Sequence, residues 1–356
     1  MSNTSFLVHK NNLFETSFSE TEKPELDKGE ALLKIEKYAF TSNNITYAVV
    51  GHQVGYWNFF PATEPNGIVP VWGFAKVVES NEDSVKIGER VYGYFPMSTY
   101  LKVKPAKQSI RGFVDNSEHR QALPPIYNYL SYVQSNIPGE DFMPIIQPLF
   151  TTGFLSYHFL KQSNFFDAKQ VILTSASSKT ALGLAYFLNQ NQADDGLQII
   201  GLTSQRNIDF VKGTGFYDSV ISYEDVTKEL SKSPAVMVDF VGNAELAKTI
   251  DGYLVDDLKF ISRIGLTNWK SGDGFNDIPK AKFFFAPDFI KKIYEKWGVG
   301  KTTEMVQTAL SDFIKIASNW MKIEYIETNE NLSNLYKKML KGDVNPSIGY
   351  LVKLKE

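Results

Sequence analysis

Residues 174–181 read Thr-Ser-Ala-Ser-Ser-Lys-Thr-Ala, a run of small and hydroxyl-bearing side chains around one lysine. Side chains of this kind suit anion binding: short hydroxyls donate to phosphate oxygens, and the Lys179 ammonium adds positive charge. Val171-Ile-Leu173, just before the run, is apolar and β-rich, and from Thr180 apolar positions recur at helical spacing through Leu184, Phe187 and Leu188. Strand, tight polar loop and helix start together form a geometry that holds phosphate. The first-turn N–H groups lack intrahelical partners, and the helix dipole favours negative charge there. The G-x-G-x-x-G/A dinucleotide fingerprint is mostly absent: Ser175, Ser177 or Ser178, and Ala181 stand near its glycine places. Only alanine at the third place is an ordinary substitution. Ser175, Ala176, Ser177, Ser178, Lys179 and Thr180 are therefore candidate phosphate contacts, with a plain Ser-rich helix N-cap as the alternative.

The next segment bears on which nucleotide would be chosen. Leu197 to Leu202 is a second buried-strand run, and it ends in Thr203-Ser-Gln-Arg-Asn207. An NAD site usually has an acid here for the ribose 2′-hydroxyl, whereas an arginine accommodates a 2′-phosphate. Arg206, beside Thr203 and Ser204 and without an acid, points to NADP(H), since a guanidinium pairs well with phosphate. A solvated arginine at the start of the following helix is the other reading.

These residues sit in a chain of 356 with 43% hydrophobic and 14% aromatic content, enough for two globular domains. The net charge of −3 and the absence of a dense Lys/Arg block argue against a nucleic-acid partner or an anionic membrane surface. No apolar run approaches ~18 residues and the N-terminus has no signal-peptide pattern, so a cytoplasmic location is expected. With no cysteine, thiol catalysis, disulfides and Cys-ligated zinc are ruled out, and four scattered histidines give no metal-ligand spacing. No metal is expected.

In chain order, the first 105 residues hold many short strands with Gly/Pro punctuation, including Gly29 to Tyr38, Ile68 to Val78, Val85 to Tyr94 and Tyr100 to Val103. Residues 105–145 read as a less regular connector. From Phe150 to Leu160 a helix is expected, and strand–helix alternation follows, with strands at Ser219 to Ser222, Ala235 to Phe240, Phe260 to Leu266 and Ala281 to Ala286. Ligands of an open parallel sheet sit at the C-terminal strand ends, which makes Gly242, Gly265 and Thr267 candidates by position. Helices are expected over Asp288–Trp297 and Thr302–Met321, and the tail returns to strand–helix–strand at Ile323 to Ile326, Asn331 to Leu340 and Gly349 to Leu354.

Six segments carry a resemblance: Gly29-Glu-Ala-Leu-Leu-Lys-Ile, Phe40 to Tyr47 with its Asn44, Gly88-Glu-Arg-Val-Tyr-Gly, Pro148-Leu-Phe-Thr-Thr152, the 174–181 loop, and Gly342 to Tyr350. On these the chain resembles the medium-chain dehydrogenase/reductase superfamily, on its zinc-independent, quinone-oxidoreductase-like side, over nearly its whole length. Thr203-Ser-Gln-Arg-Asn, Ile264-Gly-Leu-Thr-Asn-Trp and Phe284-Phe-Ala-Pro287 look like a separate branch of it. The resemblance implies an α/β fold: a Rossmann doubly wound parallel sheet over 146–319 that binds NADP(H), plus a GroES-like β-barrel catalytic domain from 1–145 and 320–356. It implies hydride reduction of a small-molecule quinone or α,β-unsaturated carbonyl, with Asn44 and Tyr47 as catalytic candidates and Thr152 against the nicotinamide carboxamide. Trp57, Phe59, Phe60 and Phe95 would wall an apolar pocket. A homodimer through an edge strand at Phe283-Phe-Phe285 is implied as well. The alternative is a non-catalytic NADP(H)-binding or sensor protein, which the missing glycines favour.

Overall fold

Val171, Ile172 and Leu173 are wholly buried on the strand Gln170–Leu173, which a computed structural model places inside a six-stranded sheet. Burial on both faces explains the unbroken apolar run, which is typical of parallel sheets covered on both sides. The structure describes residues 2–134, 137–264 and 274–354. The chain forms two units, one of Met1–Ile145 with Ile323–Glu356 and the other of Ile146–Lys322.

In the second unit the strand order is Ser219–Ser222, Gln198–Thr203, Gln170–Leu173, Ala235–Asp239, Leu258–Arg263, Ala281–Phe283, and every neighbouring pair is parallel. The chain builds outward on one side of Gln170–Leu173 and then returns to build the other side. The order therefore reverses between that strand and Ala235–Asp239, and it is there that such sheets bind ligands. Ile172, Ile200, Ile221, Met237, Ala247 and Ile250 belong to one buried cluster on this sheet and its covering helices. The helix Lys179–Gln190 lies close to the helix Met143–Gln162 because glycines face both ways. A Cβ on Gly153 would lie 2.6 Å from the Leu184 nitrogen, and one on Gly183 would lie 3.2 Å from the Phe150 Cα.

The central strand is entered through an unusual turn. Asn164, Phe165, Phe166 and Asp167 have φ values of 46°, 48°, 54° and 58°, a left-handed turn without a glycine. Phe166 stacks on Phe260 with ring centres 4.2 Å apart, and Asn164 Nδ2 donates to Asp167 Oδ1 at 2.7 Å.

The first unit is mostly antiparallel. Ala31–Phe40 pairs with Pro70–Ser80, Tyr100–Val103 and Ile348–Val352, and the sheet continues through Arg90–Pro96, Tyr129–Tyr132, Gly112–Asp115 and Pro105–Ser109. Lys322–Ile326 closes its other end, and Asn12–Glu22, Ser2–His9 and Asn66–Gly67 make a separate three-stranded sheet. No helix among the described residues is long and apolar enough to cross a membrane.

Several expected bounds shift. The expected connector contains three strands, Pro105–Ser109, Gly112–Asp115 and Tyr129–Tyr132, each of four or five residues and too short to show a period of two. The helix expected from Phe150 begins at Met143 and carries Pro148 within it. The long helix runs Val299–Ala317 instead of reaching Met321. The edge strand ends at Phe283: Phe284 is buried, and Phe285 caps the helix Ala286–Trp297.

Candidate functional site

The loop after Gln170–Leu173 is fixed from its first residue. Thr174 is fully buried, its hydroxyl donates to Asp239 Oδ1 at 2.7 Å, and its Oγ1 accepts from the Phe240 and Val241 N–H groups at 2.9 and 3.2 Å. Asp239 also accepts from the Gly242 N–H at 3.1 Å. One hydroxyl and one carboxylate thus join the ends of the two strands that flank the switch point. Burial pushes the Asp239 carboxyl up to about 6, against the lowering effect of the Thr174, Val241 and Gly242 hydrogen bonds.

Ser175 follows with φ of +48°, a left-handed conformation that glycine adopts freely and serine does not. Its N–H donates to the Tyr223 hydroxyl oxygen at 3.0 Å, and its carbonyl accepts from the Ser178 N–H at 2.7 Å. Ala176 is fully buried; its N–H donates to the Leu202 carbonyl at 3.0 Å and its carbonyl accepts from the Tyr217 hydroxyl at 2.9 Å. Ser177 Oγ accepts from Asn207 Nδ2 at 3.2 Å, which brings the turn after the second strand against this loop. Ser178 caps the helix Lys179–Gln190, its Oγ accepting from the Ala181 N–H at 3.3 Å. Burial pulls the Lys179 ammonium down to about 8, while Thr180 is half-buried in the first turn.

Thr203 is buried at the end of its strand, Ser204 precedes the short turn Gln205–Asn207, and Arg206 is exposed within that turn. Gly242 lies across the switch point with φ of +69°. The sheet ends thus bring together Ser175–Thr180, Thr203, Ser204, Arg206 and Gly242. Gly265 and Thr267 lie outside the described residues. Thr152 lies well inside the helix Met143–Gln162, where its hydroxyl donates to the Pro148 carbonyl at 3.2 Å. The contacts of Thr174, Asn207, Tyr217 and Tyr223 were not legible in the sequence because their partners lie tens of residues away, beyond any local pattern.

In the first unit, Asn44 is buried at the start of the helix Ser42–Val49. Its Oδ1 accepts from the Thr41 N–H at 2.7 Å and its Nδ2 donates to the Pro70 carbonyl at 2.8 Å, a capping arrangement that fixes the helix carrying Tyr47. The Tyr47 hydroxyl accepts from Trp72 Nε1 at 3.5 Å, and its ring centre lies 4.5 Å from that of Tyr56 and 5.7 Å from that of Tyr94. Tyr92 and Tyr94 hydroxyls are buried without a hydrogen-bond partner among the described residues. Burial raises the hydroxyl pKa values of Tyr47, Tyr92 and Tyr94, so these phenols stay protonated at neutral pH. Trp57, Phe59, Phe60 and Phe95 also lie in this unit. All four are buried, with Phe59 packed on Tyr94 and Tyr127, because large aromatics lose most water contact by stacking together. The buried Arg120, paired with Asp115 at 2.9 Å, lies over the Phe59 and Phe60 rings and was not visible in the sequence pattern. Among the described residues no group of three or more His, Cys, Asp or Glu could hold a metal ion.

The architecture matches solved structures along the whole chain. CurA from Vibrio vulnificus in complex with NADPH is 13% identical, with 99% of each chain covered and a TM-score of 0.61. S. aureus TarJ in complex with NADPH is 11% identical, with 100% of each chain covered and a TM-score of 0.58. The quinone oxidoreductase from Coxiella burnetii is 14% identical, again with 100% of each chain covered, at a TM-score of 0.57. The fold is the one these solved structures share, a Rossmann sheet plus a GroES-like β-rich unit. No curated protein matches the chain. A family model described as "Protein of unknown function (DUF2855)" matches residues 38–345.

Proposed function

We propose, from the premise that this chain belongs to the DUF2855 family of proteins of unknown function, that it is an NADPH-dependent oxidoreductase. Its acceptor would be a quinone or an α,β-unsaturated carbonyl, reduced without a metal. In this reading residues 146–319 are the NADP(H)-binding domain, and residues 1–145 with 320–356 are the catalytic domain. The observation that carries it is the loop 174–178 at the switch point, held in a left-handed conformation at Ser175 and opening a helix capped by Ser178.

The residues present fit a dinucleotide's phosphates. Thr180 has a half-buried hydroxyl in the first helical turn, Lys179 brings a cation to the helix start, and Arg206 stands after the second strand where a 2′-phosphate would lie. That CurA and TarJ were each solved with NADPH supports the same choice. When bound, NADPH supplies the hydride. Tyr47 holds its proton at neutral pH and would deliver it to the reduced acceptor's oxygen. Asn44 acts through Tyr47, by fixing its helix. A conjugated acceptor stabilises its own charge, so no Lewis acid is needed.

Titration with NADPH and NADH, on wild type and Arg206→Ala, tests the cofactor side. NADPH should bind more tightly than NADH, and the variant should lose about 10- to 100-fold of that preference, the worth of one charge-assisted hydrogen bond. Equal affinities in both proteins would sink the assignment. NADPH binding without oxidation by any quinone or enone would leave the second reading, a nucleotide-binding sensor.

A further inference from the structure

A serine with φ of +48° in a phosphate loop needs something to hold it there, because a side chain at this conformation meets the backbone where glycine does not. Two tyrosines hold this loop. Tyr217 lies just before the outer strand Ser219–Ser222 and Tyr223 just after it. Tyr223 Oη accepts from the Ser175 N–H at 3.0 Å, and the Tyr217 hydroxyl donates to the Ala176 carbonyl at 2.9 Å. The dipeptide Ser175-Ala176 is therefore gripped at its first donor and its last acceptor.

The outer strand is not adjacent to the loop's own strand, because Gln198–Thr203 lies between them. Gly201 on that middle strand makes the reach possible. A Cβ there would lie 2.9 Å from Tyr217 Cδ1 and 3.0 Å from Ala176 Cβ, closer than carbon atoms pack. Serine at 175, glycine at 201 and the two phenols thus form one arrangement.

We propose that Tyr217 and Tyr223 are positioning residues that hold the glycine-free loop in its phosphate-ready shape, doing by hydrogen bonding what a glycine at position 175 would do by conformational freedom. The proposal rests on the NADP(H) reading and names the part of the second unit on which that affinity depends. Neither phenol is catalytic. Burial raises both hydroxyl pKa values, Tyr223's to about 12, so both stay protonated across the neutral range.

The test titrates NADPH into wild type, Tyr217→Phe and Tyr223→Phe, each alone and combined with Ser175→Gly. Each phenylalanine variant should weaken binding roughly 2- to 12-fold, the range of one lost neutral hydrogen bond. Ser175→Gly should restore most of that loss, which neither a general structural defect nor a lost tyrosine–nucleotide contact would allow. Wild-type affinity in the phenylalanine variants, or no recovery with glycine, would overturn the proposal. Amide exchange at Ser175 and Ala176 without nucleotide separates the two readings. If wild type binds no NADPH, the cofactor reading fails, but faster exchange in the variants, slowed again by Ser175→Gly, upholds the clamp. Unchanged exchange refutes it.

Discussion

The hydroxyl of Thr174 donates to Asp239 Oδ1 at 2.7 Å, joining two parallel strand ends whose residues are 65 positions apart in sequence. The same oxygen accepts two backbone N–H groups, so a single side chain organises the loops on both sides of the switch point.

Thr174→Val keeps the shape and removes the hydroxyl. The buried Phe240 N–H and one Asp239 carboxylate oxygen then lose this partner, and a destabilisation of about 1–3 kcal/mol is expected. Denaturant unfolding near neutral pH measures it; a change below about 0.5 kcal/mol would show that the bridge is dispensable.

Asp239 sets a pH dependence. Its carboxyl titrates near 6 in the folded chain, above its ordinary 3.8, so between these values the folded state holds more protons than the unfolded one. Stability from this group is complete below about pH 4 and is lost as the pH rises through 6, a span worth on the order of 3 kcal/mol. Asp239→Asn should remove that decline, leaving a wild-type-minus-variant difference that changes between pH 4 and 6.5 and is flat above. A difference that stays flat throughout counts against it.

Asn44 and Tyr47 should separate by readout. Asn44→Ala strips the Thr41 N–H and Pro70 carbonyl of their partner and should cost about 1–2 kcal/mol of stability. Tyr47→Phe should change stability by less than about 1 kcal/mol yet slow NADPH oxidation 100-fold or more, if the phenol gives up the proton. Equal turnover in Tyr47→Phe and wild type would remove Tyr47 from the mechanism.

Gly153→Ala places a methyl group 2.6 Å from the Leu184 nitrogen. The helix Lys179–Gln190 must shift to make room, and with it the capped start that follows the loop. A loss of about 1–3 kcal/mol is expected from overpacking, with NADPH affinity falling in parallel. Gly196→Ala, with open space around its added Cβ but a left-handed φ, serves as the comparison and should lose stability without losing affinity.

Much of the parallel sheet could be read from the chain, because strands buried on both faces announce themselves as unbroken runs such as Val171-Ile-Leu173 and Ile199-Ile200. Helix starts were legible where a hydroxyl capped them, as at Ser178. The helix Met143–Gln162 begins before the Phe150 start that its apolar run suggested. The short strands between Pro105 and Tyr132 were hidden by their length. At the candidate site, residue types pointed to the 174–181 loop, but what holds it did not show: Tyr217, Tyr223 and Asp239 reach it only through strand pairing.

The left-handed turn Asn164–Asp167 has a bearing on how the second unit assembles. Four side-chain-bearing residues wound against their natural hand would unwind at once in isolation, at a cost of roughly 1–2 kcal/mol each. Seating Phe166 on Phe260, a residue of the fifth strand in chain order, is part of what offsets that cost, and this partner exists only once the far side of the sheet has formed. The entrance to the central strand is thus held from the far side of the sheet rather than by its own turn alone.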